Sequence, residues 1–386
     1  MAFDFDEVCE DLKEFKYDFR INDLDESLEV KRGKGEWERY NDTHAAVLKT
    51  KLRGLGYGTT AKCGMTALDD AIVTLAHSQR YNPIKSHLEA LRGTYQPIKG
   101  ETLLKQFCKH FDNPDGQFHD WLFYWMTGSI AKIFEGERNP MLVLVAPQKI
   151  GKSFFCKWIC PIEKRFLRSP IQPDKKDNKL HLVDVMIWEV EELGATTRRA
   201  DIESLKHFVT LDFVFERFPY GRYPLYKPAT ANFIGTVNYD GAGFLNDPTG
   251  TTRFLACEIE AIDFEYTKFD PNDLWAEALH FYDTVPGIWR MTPEDEKRQA
   301  EINRKYETVS ALEDALEAEF TITGNKEDFE TTLEMKALIQ SHYKITNEQG
   351  FANELGRILH SRGAWRGRLP ASEGQKRGWH GVRRNP

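Results

Sequence analysis

The stretch Ala146-Pro-Gln-Lys-Ile-Gly-Lys-Ser153 constrains the fold more than any other part of this 386-residue chain. It follows the apolar run Met141-Leu-Val-Leu-Val-Ala146 and leads into a segment of helical character, Lys152–Cys160. The order strand, turn, Gly-Lys-Ser, helix is the pattern G-x-x-x-x-G-K-[ST] in all but its first glycine. Backbone N–H groups along such a turn and at the helix N-terminus are placed to wrap phosphates. Lys152 is suited to neutralise charge on the β- and γ-phosphates, and the Ser153 hydroxyl to ligate Mg²⁺. Gly151 lets the backbone approach with no Cβ in the way. The pattern therefore predicts ATP and Mg²⁺ as cofactors, held by Ala146, Pro147, Gln148, Lys149, Ile150, Gly151, Lys152, Ser153 and Phe154. Ala146 in place of glycine is expected to restrict the backbone where the turn leaves the strand.

Further apolar runs, Val183–Val190, Ala231–Val237 and Phe254–Ile259, read as strands. The runs 141–146 and 183–190 are near-continuous rather than alternating, as in strands buried on both faces of an α/β sheet. Helical segments such as Asp201–Val209 separate them, giving the rhythm of a parallel, helix-flanked sheet. The run 183–190 ends in Glu189-Val-Glu191-Glu192, on what is expected to be a neighbouring strand. Residues two apart face one side, so Glu189 and Glu191 point together towards the metal; one acid would hold Mg²⁺ and another orient the attacking water. Which of Glu189, Glu191 and Glu192 does which is left open. Asn238, at the tip of the next strand, offers a hydrogen bond to the γ-phosphate or its water, or simply opens a turn. Arg253 leads the last strand after a tight turn, as a charge offered to a neighbouring subunit's nucleotide would.

Charge and composition narrow the remaining classes. A net charge of −8 argues against a protein that coats nucleic acid over its whole surface. The last thirty residues are nonetheless basic, which reads as a local site for an anionic partner. The six cysteines form no Cys-x-x-Cys pair, and no run approaches the ~20 apolar residues that span a bilayer. The acidic start lacks a secretory signal, so the expected location is the cytoplasm of a bacterial host.

With these residues in view, the chain resembles the virulence-associated protein E family of phages and mobile elements, which is itself similar to superfamily 3 helicases of the AAA+ class. The matching runs include Tyr81–Leu88, the Gly-Lys-Ser turn, Trp188–Leu193, Leu205–Phe208, Pro219–Arg222, Phe233–Asn238, Asp247–Phe254 and Leu274–Ala278. The resemblance implies Walker A at 146–153, Walker B near Glu189–Glu192, sensor 1 at Asn238 and an arginine finger at Arg253. It implies a ring, usually a hexamer, because the finger works in trans. The chain departs from the family at Ala146, Lys149, Thr252 and Val214.

The domain reading follows: an N-terminal α+β domain (1–90), a helical lead-in (91–136), a P-loop ATPase core (137–262), a helical segment (263–320) and a basic winged-helix-like module (321–386). The similarity to superfamily 3 rings implies DNA on the hairpin Asp212–Lys227, through Arg217, Tyr220, Arg222 and Lys227, with Phe213, Phe215 and Phe218 expected in the core. Arg217 or Arg222 could instead bridge subunits. Arg366, Arg368, Lys376 and Arg377 form a second DNA site, for the backbone rather than for sequence. The reading that results is a ring-shaped ATP-dependent DNA helicase or translocase serving phage or mobile-element replication, with any priming partner, a primase or polymerase, a separate chain or a lost N-terminal domain. An ATP-switched DNA-binding protein without motor activity and a small-molecule kinase are the rivals.

Overall fold

The computed structural model describes residues 5–55, 65–97, 100–173, 175–191, 199–217, 224–238, 251–306, 311–342, 348–368 and 376–385. Glu192, Phe218, Tyr220, Arg222 and the run 239–250 lie outside the described residues. The chain divides into two compact units, Met1–Tyr306 and Glu307–Pro386.

The large unit opens with a small sheet. Tyr17–Asn22 and Leu28–Arg32 form an antiparallel hairpin, with Ile21 opposite Leu28. Asn22 closes its turn by accepting from the Leu24 N–H at 3.0 Å. Helices Asp42–Gly54 and Met65–His77 cover the sheet, burying Phe19, Ile21, Val30, Leu48 and Leu52. Asn82 caps the helix Pro83–Leu91 by accepting from the Ile84 and Lys85 N–H groups, with proline at the first turn where no donor is needed.

A five-stranded parallel sheet forms the centre, in the spatial order Phe254–Glu258, Met141–Ala146, Asn232–Asn238, Ile187–Val190, Phe166–Arg168. Its middle strands are covered on both faces. Leu142, Leu144 and Ala146 join one core, and Met141, Val143 and Val145 join another. That double burial explains why 141–146 reads as continuous apolar sequence. Helix Phe118–Glu135 packs on the first face, and its indoles are anchored as well as buried: Trp121 donates to the Ala256 carbonyl at 3.1 Å and Trp125 to that of Phe233 at 3.0 Å.

Two sequence expectations are corrected here. The strand expected over 183–190 is only Ile187–Val190; residues 183 and 184 close the helix Lys176–Asp184, whose Leu182 and Val183 face the same core. The acidic strand is also not the neighbour of the Gly-Lys-Ser strand, because Asn232–Asn238 lies between them.

In the small unit, helices Ala311–Glu319, Thr332–His342 and Glu348–Ser361 enclose a core of Leu312, Leu316, Met335, Ile339, Phe351 and Leu355. A three-stranded sheet, in the order Phe329–Thr331, Arg377–His380, Trp365–Arg368, closes it. This unit begins at Glu307, ahead of the boundary at 321, because Leu312 and Leu316 belong to its core. Within the expected helical segment 263–320, the last part is accordingly divided, into Pro293–Asn303 and Ala311–Glu319.

Candidate active site

All five central strands are parallel, so their carboxyl ends share one edge, and a crevice at that edge is where open α/β sheets bind ligands. The turn 147–151 leaves the sheet there and enters helix Lys152–Trp158. Gly151 has φ +104° and Lys149 φ +66°. A left-handed backbone costs a side-chain-bearing residue about 1 kcal/mol, so Lys149 is the strained position. Ala146 is not: it ends its strand in register with Asn238, with no positive φ. The expectation that Ala146 distorts the turn is thus replaced by strain two residues ahead of Gly151.

Lys152 is nearly buried, and its Nζ donates to the carbonyls of Ala146 (2.6 Å) and Pro147 (3.0 Å) and to Asn238 Oδ1 (3.1 Å). Burial holds its pKa below that of a free lysine. The structure therefore unites Ala146, Pro147, Lys152 and Asn238 around one ammonium.

Glu189 faces the same edge with its side chain wholly buried. Neither carboxylate oxygen has a well-aligned hydrogen-bond partner. The Ser153 hydroxyl and Arg168, whose Nε lies 3.6 Å from Oε2, are near enough to favour the charged form. Burial outweighs them and raises the carboxyl above its ordinary pKa. A hydroxyl beside an underpartnered buried carboxylate suits a hard divalent cation such as Mg²⁺, which takes oxygen ligands. Glu191 lies on the same side as Glu189, as its spacing requires, and pairs with Arg168. Arg168 was not singled out in the sequence. It is one arginine on a three-residue edge strand, and only the pairing of that strand with Ile187–Val190 brings it to both acids.

Arg253 stands at the opposite edge. It precedes the strand Phe254–Glu258, whose first residue pairs with Met141 at the start of the Gly-Lys-Ser strand. Strands rise about 3.3 Å per residue, so five steps put Phe254 roughly 17 Å along the sheet from the level of Ala146, and Arg253 lies before it. It lines a cleft of about 310 Å³ with Arg138, Thr210 and Thr252.

The expected DNA residues fare unevenly. Phe213–Glu216 and Leu225–Pro228 do form the hairpin. Lys227, however, is ion-paired with Glu26 and donates to the Asp23 carbonyl at 2.7 Å, so its charge is used inside the large unit. Phe213 and Phe215, expected in the core, are 47% and 67% exposed. The hairpin's other face, through Val214, supplies the core contact, as strand alternation allows. Phe213 stacks on Tyr226 with ring centroids 4.7 Å apart. Arg217 is exposed. In the small unit, Arg368 and Arg377 are register partners, Arg366 lies over the Trp379 ring, and all three line a cleft of about 420 Å³. Lys376 stands 3.8 Å from Glu334.

Fold and site together define a class: an α/β protein whose parallel sheet gathers an amine, a hydroxyl and buried acid at its carboxyl edge. The model of the virulence-associated protein E-like domain matches residues 91–308, more than half of the chain, and the chain belongs to that family. No curated protein matches it. Among solved structures it is similar to the apo structure of the NrS-1 C terminal region (305-718), at 14% identity and a TM-score of 0.50, covering 94% of this chain and 88% of that one. It is likewise similar to an A form apo structure of the same region, at 12% identity and a TM-score of 0.50, covering 97% and 98%. At such identities these likenesses concern the fold alone. No helix among the described residues is long and apolar enough to cross a membrane.

Proposed function

We propose that this chain is an ATP-hydrolysing DNA helicase or translocase, acting as an oligomeric ring in replication of a phage or mobile genetic element. The carrying observation is the buried Glu189 carboxylate, without a full set of partners and beside the Ser153 hydroxyl at the sheet edge where Lys152 and Asn238 meet. A buried charge left underpartnered is costly unless a ligand completes it. In this reading the turn 146–151 is a P-loop. Lys152 exchanges its two carbonyls for phosphate oxygens, Ser153 and Glu189 hold Mg²⁺, and Asn238 and Glu191 orient the attacking water. The metal supplies charge neutralisation at the phosphates when bound. Arg253, remote from its own turn, serves the site of the next subunit.

DNA is proposed to contact the hairpin through Phe213, Phe215 and Arg217. The basic sheet of the small unit, read as the wing of a winged helix, contacts it through Arg366, Arg368, Lys376 and Arg377. The virulence-associated protein E-like family supports a replication role. A second reading, a slow ATP-driven switch on DNA, is favoured by one feature: Lys152 and Glu191 are both engaged, with loop carbonyls and with Arg168, and must be released first. The test is unwinding of a forked duplex with Mg·ATP. Strand separation that requires hydrolysis supports the motor; DNA binding tuned by ATP without unwinding supports the switch.

A further inference from the structure

Phe154 and Phe264 are both large apolar rings left half exposed, 53% and 50%, within an otherwise buried aromatic cluster. Phe155, Phe107 and Tyr266 beside them are fully buried. The two exposed rings lie 5.9 Å apart, centroid to centroid, at 54°. Phe154 directly follows Ser153, and the tip of Phe264 would come within 2.6 Å of any Cβ placed on Gly151. Glycine at 151 thus admits both the left-handed turn and this ring. Phe264 is also held in place. Asp263 caps its short helical turn by accepting from the Glu265 N–H at 3.0 Å, Asp263 Oδ2 lies 2.8 Å from His110 Nδ1, and Tyr266 anchors the turn in the core.

Resting on the nucleotide reading above, we infer that Phe264, with Phe154, is the shelf on which the base of the bound nucleotide stacks. The rings border the turn at Gly151 and Phe154, and on this proposal the base extends from the phosphates over them. A flat aromatic surface is the partner a nucleobase prefers, and stacking is tolerant of base identity because every base has a π-face. The site is accordingly one for nucleoside triphosphates with little choice of base.

The experiment is calorimetric binding of ATP, GTP and inorganic tripolyphosphate, each with Mg²⁺, to the full chain and to Phe264→Ala, Phe154→Ala and Phe264→Trp. Phe264→Ala is expected to weaken ATP and GTP by about tenfold or more, the loss of one base stack. Tripolyphosphate should stay within about twofold of wild type and Phe264→Trp should retain ATP, because in this proposal the ring meets the base rather than the phosphates and tryptophan still stacks. Phe154→Ala should weaken the nucleotides less. Unchanged ATP binding in Phe264→Ala would overturn the shelf. So would an equal loss of ATP and tripolyphosphate, which would make the ring a support for the turn. Wild-type chain that binds tripolyphosphate as tightly as ATP would sink the shelf and spare the cradle; binding of neither would remove both.

Discussion

At the scale of single residues, Glu189 carries the most information about the candidate site. Its raised pKa means that the folded chain favours the protonated acid relative to the unfolded chain. That contribution to stability is complete below the ordinary glutamate pKa and is lost as pH rises through the raised value. Once pH has risen through that value the fold carries a buried charge that Ser153 and Arg168 only partly offset. Glu189→Gln should raise Tm by about 2–6 °C at pH 7.5 and by less at pH 4, as removal of an underpartnered buried charge requires. The same change should slow hydrolysis by about 100-fold or more, the scale of losing one well-placed polar group. Melting curves at both pH values with a phosphate-release assay check this; a lower Tm at pH 7.5 would mean that Glu189 is already satisfied. Gly151, Lys152 and Ser153 were legible in the sequence because they are contiguous, and their chemistry is set by backbone they share. Arg168 and Phe264 were not legible, because strand pairing and loop packing bring them to the site from segments with no local signature.

Among the elements, legibility depended on burial pattern. The strand 141–146 is legible in the sequence because two covered faces leave a continuous apolar run of strand length. The run 183–190 was read too long because a helix end and a buried strand abut there, and periodicity cannot separate two short apolar pieces. In the hairpin, sequence reading reversed the faces: Phe213 and Phe215 are outward, whereas Lys227 is tied to Glu26. The account predicts that Phe215→Ser leaves Tm within about 2 °C, as a residue so exposed should. It should weaken single-stranded DNA about tenfold, one lost base stack. Lys227→Ala should do the converse, lowering Tm and leaving DNA affinity near wild type. Fluorescence anisotropy with a labelled oligonucleotide and thermal melts of both variants separate the cases; the opposite pattern would return Lys227 to the DNA.

For the whole molecule, the parallel sheet sets the turn 147–151 and Arg253 at opposite edges. On the proposed reading, Arg253 then serves a nucleotide held by another chain. Lys152→Ala and Arg253→Ala should each be inactive alone. After subunit exchange, a random mixture should recover roughly a quarter of wild-type hydrolysis, since one interface in four then pairs an intact lysine with an intact arginine. No recovery on mixing would place both residues in one chain's site, and full activity of Arg253→Ala alone would leave Arg253 without a role. The ring itself was suggested by family resemblance, whereas the opposed placement of turn and arginine emerges only from strand order.

The central claim is that a triphosphate is gripped by the turn between Ala146 and Lys152. Titration calorimetry of Mg·ATP against the wild-type chain and Lys152→Ala tests it most directly. The account predicts saturable, Mg²⁺-dependent binding to wild type and a loss of about 10- to 100-fold in the variant, the worth of a charge-assisted hydrogen bond. Equal affinity in the two proteins, or no binding to a folded wild-type chain, would contradict it.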